Sequence, residues 1–92
     1  MDRDDTVEFT FSRHADEEIE RRRIPREWVE SVLRNPEQRI VQARGKEILQ
    51  SRQRSTDGKL FLTRVIVNTE RTPPIVVTVY RTSKIEKYWR TE

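Results

Sequence analysis

The stretch KLFLTRVIVNTERTPPIVVTVYR, residues 59–81, holds the densest apolar residues of an otherwise charged chain. Leu60 to Val67 and Ile75 to Tyr80 are β-branched and aromatic runs, a composition that fits a pleated, half-buried surface. Between them Asn68 to Pro74 reads as a turn, because Pro73 and Pro74 forbid continued ladder pairing. Two such runs joined by a short polar loop predict an antiparallel hairpin at the centre of a sheet.

Towards the N-terminus the hydrophobic period stays at two back to residue 38. Strands are predicted over 39–43 and 47–54, with turns at Arg44-Gly45 and at the Asp57-Gly58 pair. Alternation puts Ile48, Gln50, Arg52 and Arg54 on one face of the second strand. On the third strand it groups Arg64 with Leu60, Leu62 and Ile66.

Before residue 38 the period is helical. Ser12 offers an N-cap hydroxyl, and Asp16, Glu17 and Glu18 place negative charge near the helix start, as the macrodipole prefers. Phe11, Ala15 and Ile19, spaced by four, give that helix (residues 12–22) one narrow apolar face. Ile24-Pro25 marks a break, with Pro25 in the first turn of a second helix. Trp28, Val29, Val32 and Leu33 form its apolar face, and Asn35-Pro36 ends it. Val7, Phe9 and Phe11 alternate with polar residues, as in a short strand or an extended lead-in. Ser83 and Glu86 have capping-box spacing before Ile85, Tyr88 and Trp89, which predicts a helical turn pinning Trp89 to the sheet, or else a fifth strand.

The expected architecture is therefore α+β: two N-terminal helices packed on a four-stranded antiparallel sheet, with a short C-terminal helix. Residues 1–92 make one domain, with 1–7 expected to be flexible. The helices cover one face of the sheet, and the other is left open for a ligand.

Composition narrows the chemistry. There is no cysteine, which removes disulfides, thiol nucleophiles and thiolate metal sites. With one histidine, no metal and no cofactor are expected. No apolar run approaches the ~20 residues of a membrane span, so a soluble cytoplasmic protein is expected. The net charge of +3 hides an asymmetry: residues 1–37 carry −4, and residues 38–92 carry +7. Fifteen of the nineteen basic residues are arginine, whose planar fork suits phosphate. The sheet half is thus a candidate polyanion surface.

His14 is the one side chain expected to titrate near neutrality without a large perturbation; the bland alternative is a surface histidine beside a cap. Arg64, the only charge inside its apolar run, either pairs with an acid such as Glu47, reaches the rim, or is held rigid to bind phosphate. Arg81 ends the next strand on the face opposite Tyr80 and Thr78. Arg44 and Lys46 bracket a turn, and Arg52 and Arg54 form a basic ridge. Phe61, Tyr80, Tyr88 and Trp89 suit stacking on unpaired RNA bases, although such rings also serve as core.

Ser12-x-His14-Ala15 after Phe11, then Arg23-Ile24, Trp28-Val29 and the late Val76-Val77-Thr78-Val79-Tyr80 carry a resemblance. The chain resembles a family of small bacterial domains of unknown function with a Ser-x-His-Ala motif, similar to BrnT and more distantly to the RelE/ParE toxin superfamily. That resemblance implies a RelE/barnase-like toxin fold and a toxin of a type II toxin–antitoxin pair acting as a metal-independent endoribonuclease by 2′-OH attack. Carried onto this chain, it points to His14 and to the strand cations Arg44, Arg64 and Arg81. For an endoribonuclease the expected catalytic residues are His14 as general base or acid with Arg64 and Arg81 on the phosphoryl oxygens, and Arg44, Lys46, Arg52 and Arg54 are expected to bind the RNA. The implied partners are RNA, an antitoxin with an acidic segment, and the ribosome for a ribosome-dependent enzyme. A non-catalytic nucleic-acid or protein-binding domain and a gyrase-inhibiting ParE-like toxin are the alternatives.

Overall fold

The computed structural model describes residues 8–91. The expectation for residues 1–7, and Val7 of the lead-in, lie outside that range. The described elements run β1 (Thr10–Phe11), α1 (Arg13–Arg21), α2 (Arg26–Arg34), β2 (Gln38–Val41), β3 (Lys46–Arg54), β4 (Leu60–Asn68), β5 (Ile75–Thr82) and α3 (Ile85–Tyr88).

β2 to β5 form the predicted antiparallel meander, with β4 at its heart. The sheet has five strands and is mixed, in the order β1-β5-β4-β3-β2. The expectation of four antiparallel strands is corrected by β1, which pairs parallel to β5 with Thr10 beside Ile75 and Phe11 beside Val76. The cause is local. The outer backbone of β5 needs partners, and the lead-in supplies them: the Thr10 N–H donates to the Pro74 carbonyl (3.0 Å) and the Ser12 N–H to that of Val76 (2.9 Å). The short alternation around Phe9 and Phe11 allowed a strand but could not disclose its partner.

Ser12 joins this edge to the helix. Its side chain accepts from the Ala15 N–H at 3.0 Å as the N-cap of α1, and its hydroxyl donates to the Val77 carbonyl at 3.3 Å. α1 and α2 lie on the same face of the sheet. Ala15, Ile19, Ile24, Val29, Val32 and Leu33 form one core with Leu49, Val65, Val67, Val76 and Val79. Phe9, Phe11 and Trp28 pack around it, half buried. Pro25 stands as the N-cap of α2, one position before the predicted first turn. The Ser83–Glu86 capping box does not form: α3 begins at Ile85, and the Thr82 hydroxyl accepts from the Lys84 N–H instead.

The turn between β2 and β3 is tight. Arg44 and Gly45 both adopt positive φ, at 64° and 73°. A β-carbon on Gly45 would run into the Glu70 side chain, so this position needs glycine twice over. No helix among the described residues is long and apolar enough to cross a membrane.

Two expected outcomes test this layer. Removing the Ser12 hydroxyl takes away a cap and the stitch to β5, so Ser12→Ala should cost about 1–2 kcal/mol in urea unfolding. Glu18 is nearly buried and accepts from Arg21 (2.5 Å) and Arg22 (2.6 Å), whose hydrogen bonds lower its pKa from 4.5 to about 2. A lowered carboxylate pKa adds stability that is complete above the ordinary value and disappears as the pH falls from about 4.5 towards about 2. Glu18→Gln should therefore flatten the loss of stability across that window in acid titrations followed by circular dichroism.

Candidate nucleic-acid interface

Strand pairing assigns every sheet side chain to a face. Gln50 stands opposite Arg64, and Arg64 opposite Tyr80, so these three share the face turned away from α1 and α2. Thr63 stands opposite Arg81, which puts Arg81 on the helical face. Lys46, Arg52 and Arg54 lie with Arg64. Arg52 and Arg54 of β3 therefore share the face of Arg64, as alternation predicted.

That second face is not open, contrary to expectation. The chain after β5 folds over it, as the polar contacts of α3 show. Gln50 Nε2 donates to the Tyr88 carbonyl (3.2 Å) and to Gln38 Oε1 (2.8 Å). Gln38 Oε1 accepts from the Arg90 N–H, while Gln38 Nε2 donates to the Arg90 carbonyl. Gln50 and Leu62 are wholly buried beneath, and Arg64 retains 8% of its surface. Of the predicted alternatives, the helical turn holds. It brings Trp89 against Arg52, with the guanidinium 4.1 Å from the ring centroid.

Arg64 is the centre of this arrangement. Its Nε donates to Gln50 Oε1 (2.8 Å) and its Nη1 to the Tyr80 hydroxyl (2.6 Å). The Tyr88 ring lies over the guanidinium at 4.4 Å, and Tyr80 and Tyr88 meet edge to face. The suggested partner Glu47 is engaged elsewhere, with Arg39 at 2.9 Å. The other ion pairs among the described residues are Arg21 and Arg22 with Glu18, Arg26 with Asp16, and Arg52 with Glu37. Arg64 is a buried cation with neutral partners. A guanidinium has five N–H groups, so those without an acceptor among the described residues can take an anion.

The other predicted residues divide around this centre. Arg52 is largely spoken for: it donates to both oxygens of Glu37 at 3.1 Å, and these hydrogen bonds hold the Glu37 carboxyl below the ordinary carboxylate range. Arg54 Nη1 closes the neighbouring turn on the Gly58 carbonyl. Arg44 and Lys46 are exposed at the other end of β3, with Lys46 about 13 Å along the strand from Gln50. His14 is exposed on the first turn of α1, in the layer on the far side of the sheet from Arg64. The expected trio of His14, Arg64 and Arg81 does not converge on one phosphate, because sheet alternation sends the two arginines to opposite faces.

The aromatic residues also act differently from expectation. Phe61, Tyr80, Tyr88 and Trp89 each have an internal cation over the ring, so at least one face is already taken. Gln50, Gln38 and Tyr88 gather around Arg64, a grouping that the sequence reading did not give although it named Tyr88 as a stacking ring. Gln50 was legible: counting back from the Asp57-Gly58 turn puts it opposite Arg64. Gln38 reaches the site by standing opposite Gln50 across the β2–β3 turn, and Tyr88 through the fold-back after β5, which no period encodes.

Against known proteins, the profile described as Domain of unknown function (DUF4258) matches residues 11–81. The chain belongs to the DUF4258 family. No curated protein and no solved structure matches it. The matched span of the DUF4258 domain runs from Phe11 of β1 to Arg81 of β5, and so includes Gln50, Arg64 and Tyr80, but it stops before the Tyr88 cover.

The Arg64–Gln50 bond of the DUF4258 domain can be weighed directly. Gln50→Leu removes the Nε acceptor and should cost about 2–3 kcal/mol in denaturant unfolding. Adding Arg64→Met should recover part of it, with a coupling of about 1–2 kcal/mol in the double-mutant cycle.

Proposed function

We propose that this chain is the toxin of a type II toxin–antitoxin pair and a metal-independent endoribonuclease that works on the face carrying Arg64, through the 8% of Arg64 that the α3 cover leaves exposed. The observation that carries this reading is Arg64 itself, a nearly buried guanidinium set among Gln50, Tyr80 and Tyr88 with no carboxylate partner among the described residues. Burying a cation without an anion costs stability, and binding a phosphate would offset that cost. The resemblance to BrnT and the RelE/ParE superfamily supplies the toxin part of the reading, and the +7 charge of residues 38–92 supplies the attraction to RNA.

In this mechanism the ribose 2′-oxygen attacks the adjacent phosphorus while the bond to the 5′-oxygen breaks. The 2′-hydroxyl gives its proton to water. Arg64 stabilises the charge that grows on the phosphoryl oxygens, the kind of contribution that dominates such reactions. Tyr80 accepts from Arg64, which leaves its own O–H free to protonate the departing 5′-oxygen. The products are a 2′,3′-cyclic phosphate and a 5′-hydroxyl. Lys46 and Arg54 track the backbone alongside. The antitoxin's acidic segment would cover this same face, and high salt should weaken that complex.

The test is a defined single-stranded RNA incubated with purified protein in EDTA. Cleavage leaving cyclic phosphate ends is expected, with a loss of about 10²–10³-fold in Arg64→Gln. Loss in His14→Ala and not in Arg64→Gln would return the chemistry to the helical face. RNA that is bound in a salt-sensitive way but stays intact, with and without ribosomes, would leave a binding domain.

A further inference from the structure

β2 is the last strand of the sheet, and its outer side carries backbone groups that nothing in the described chain satisfies. The Gln42 N–H donates to the Lys46 carbonyl at 2.8 Å, and that bond fixes the phase of the β2–β3 ladder. Antiparallel pairs alternate between bonded and unbonded, so Gln38 and Ile40 turn their N–H and C=O groups inward to β3. Arg39 and Val41 turn theirs outward, which sets two donors and two acceptors in a row, roughly 7 Å apart along the strand. None of these groups has a partner among the described residues. Such a row is a template for another strand. At the opposite edge β1 already meets the same need for part of β5.

The side chains around the β2 edge select what can pair there. Val41 is 71% exposed, which no other large hydrophobic among the described residues approaches. Val41 and Arg39 belong to the helical face, because Arg39 stands opposite the core residue Leu49 and Val41 is two positions on. On that face Phe9, Leu33, Pro36 and Leu49 line a groove together with Arg34 and Arg39. On the other face Arg90 lines a cleft along β2, its backbone held by the Gln38 side chain. Arg39 is paired with Glu47, but Arg34 and Arg90 are exposed and have no carboxylate partner among the described residues. The edge thus offers a backbone ladder, an apolar contact and one unbalanced cation on each face.

We infer that the outer edge of β2 is a docking site for an extended acidic segment of a partner protein, which adds to the sheet as a sixth strand. Side chains of an added strand alternate between the faces. The guest therefore carries an acidic residue for Arg34, a β-branched one two positions away for Val41, and an acidic residue of the opposite parity for Arg90. A phosphodiester backbone has no row of N–H groups for the Arg39 and Val41 carbonyls, so the ladder suits a polypeptide and not a nucleic acid. A second copy of this chain is a poor guest: each carries +3, and pairing edge to edge would bring the arginines of both copies together. This inference goes beyond the ribonuclease reading and does not depend on it.

The probe is a displayed library of random decapeptides selected on the whole chain. Enriched peptides should alternate acidic and β-branched residues in the pattern above and lack proline within it. One of them, synthesised and labelled, is then followed by fluorescence anisotropy. Val41→Pro removes an outward N–H while leaving the β2–β3 bonds in place, and should weaken binding about tenfold. N-methylation of alternate guest residues should weaken binding in one phase and spare it in the other. Arg34→Glu combined with Arg90→Glu should also cost about tenfold. Failure to enrich any peptide, enrichment of basic ones, or an affinity indifferent to the phase of N-methylation overturns the inference. So does a wild-type dimer in sedimentation velocity that Val41→Pro dissolves, which gives the edge to a second copy. Circular dichroism confirms the fold of each variant, and the N-methylated peptides keep the test decisive if Val41→Pro does not fold.

Discussion

A single sheet whose central strand must be dry on both sides, in a chain that is one-third apolar, sets the terms for everything else in this molecule. β4 carries Thr63, Val65 and Val67 on one face and Leu62 and Arg64 on the other, all buried. Two amphipathic helices suffice for the first face, where valines and isoleucines dominate. The second face has little apolar cover to draw on. It is closed by a polar latch, in which Gln38 and Gln50 bind the backbone of Tyr88 and Arg90, and by arginines stacked on tyrosine and tryptophan. Arginine makes this economical because its plane is weakly hydrated and packs like a ring while its edge remains polar.

This use of arginine explains how structure and charge come to share the same residues. Arg52 is consumed by the packing, neutralised by Glu37 and laid on Trp89. Arg64 and Arg81 lie against aromatic rings but keep N–H groups without acceptors among the described residues, so packing and capacity for an anion coincide in them. Exposed cations such as Arg44 and Lys46 add attraction without geometry, since long side chains on a turn hold no fixed direction.

Much of the fold was legible because it follows from short-range patterns. The Ser12 cap, the Trp28–Leu33 helical face, the Asp57-Gly58 turn and the alternation of β3 and β4 follow from spacing alone. The alternation before Ser12 suggested a short strand, but the pairing of β1 with β5 escaped because it covers two residues and depends on a strand more than sixty positions away. The Ser83 cap failed for a smaller reason: the helix starts one residue later than the motif requires, and Thr82 stands closer to the orphan N–H. At the site, the identities of the arginines were legible and their grouping was not. Parity along β5 already separated Arg81 from Tyr80, but only the register with β4 tied Tyr80 to Arg64 and so set the two arginines back to back.

The pairing of β1 with β5 carries a consequence for the order of assembly. The N-terminal helices dock on a surface completed by a strand made some sixty-five residues later, and the Ser12 hydroxyl spans that whole interval to reach Val77. Closing so long a loop is paid for in chain entropy before any contact rewards it, which places this step late in folding. On a chain emerging from the ribosome, α2 meets its core partners on β3 and β4 first, while α1 waits for β5. The Arg64 face waits longer still, for the segment that covers it. Whatever this surface does, it acquires its shape only after synthesis has passed Tyr88, so a half-made chain carries the charge of the site without its geometry.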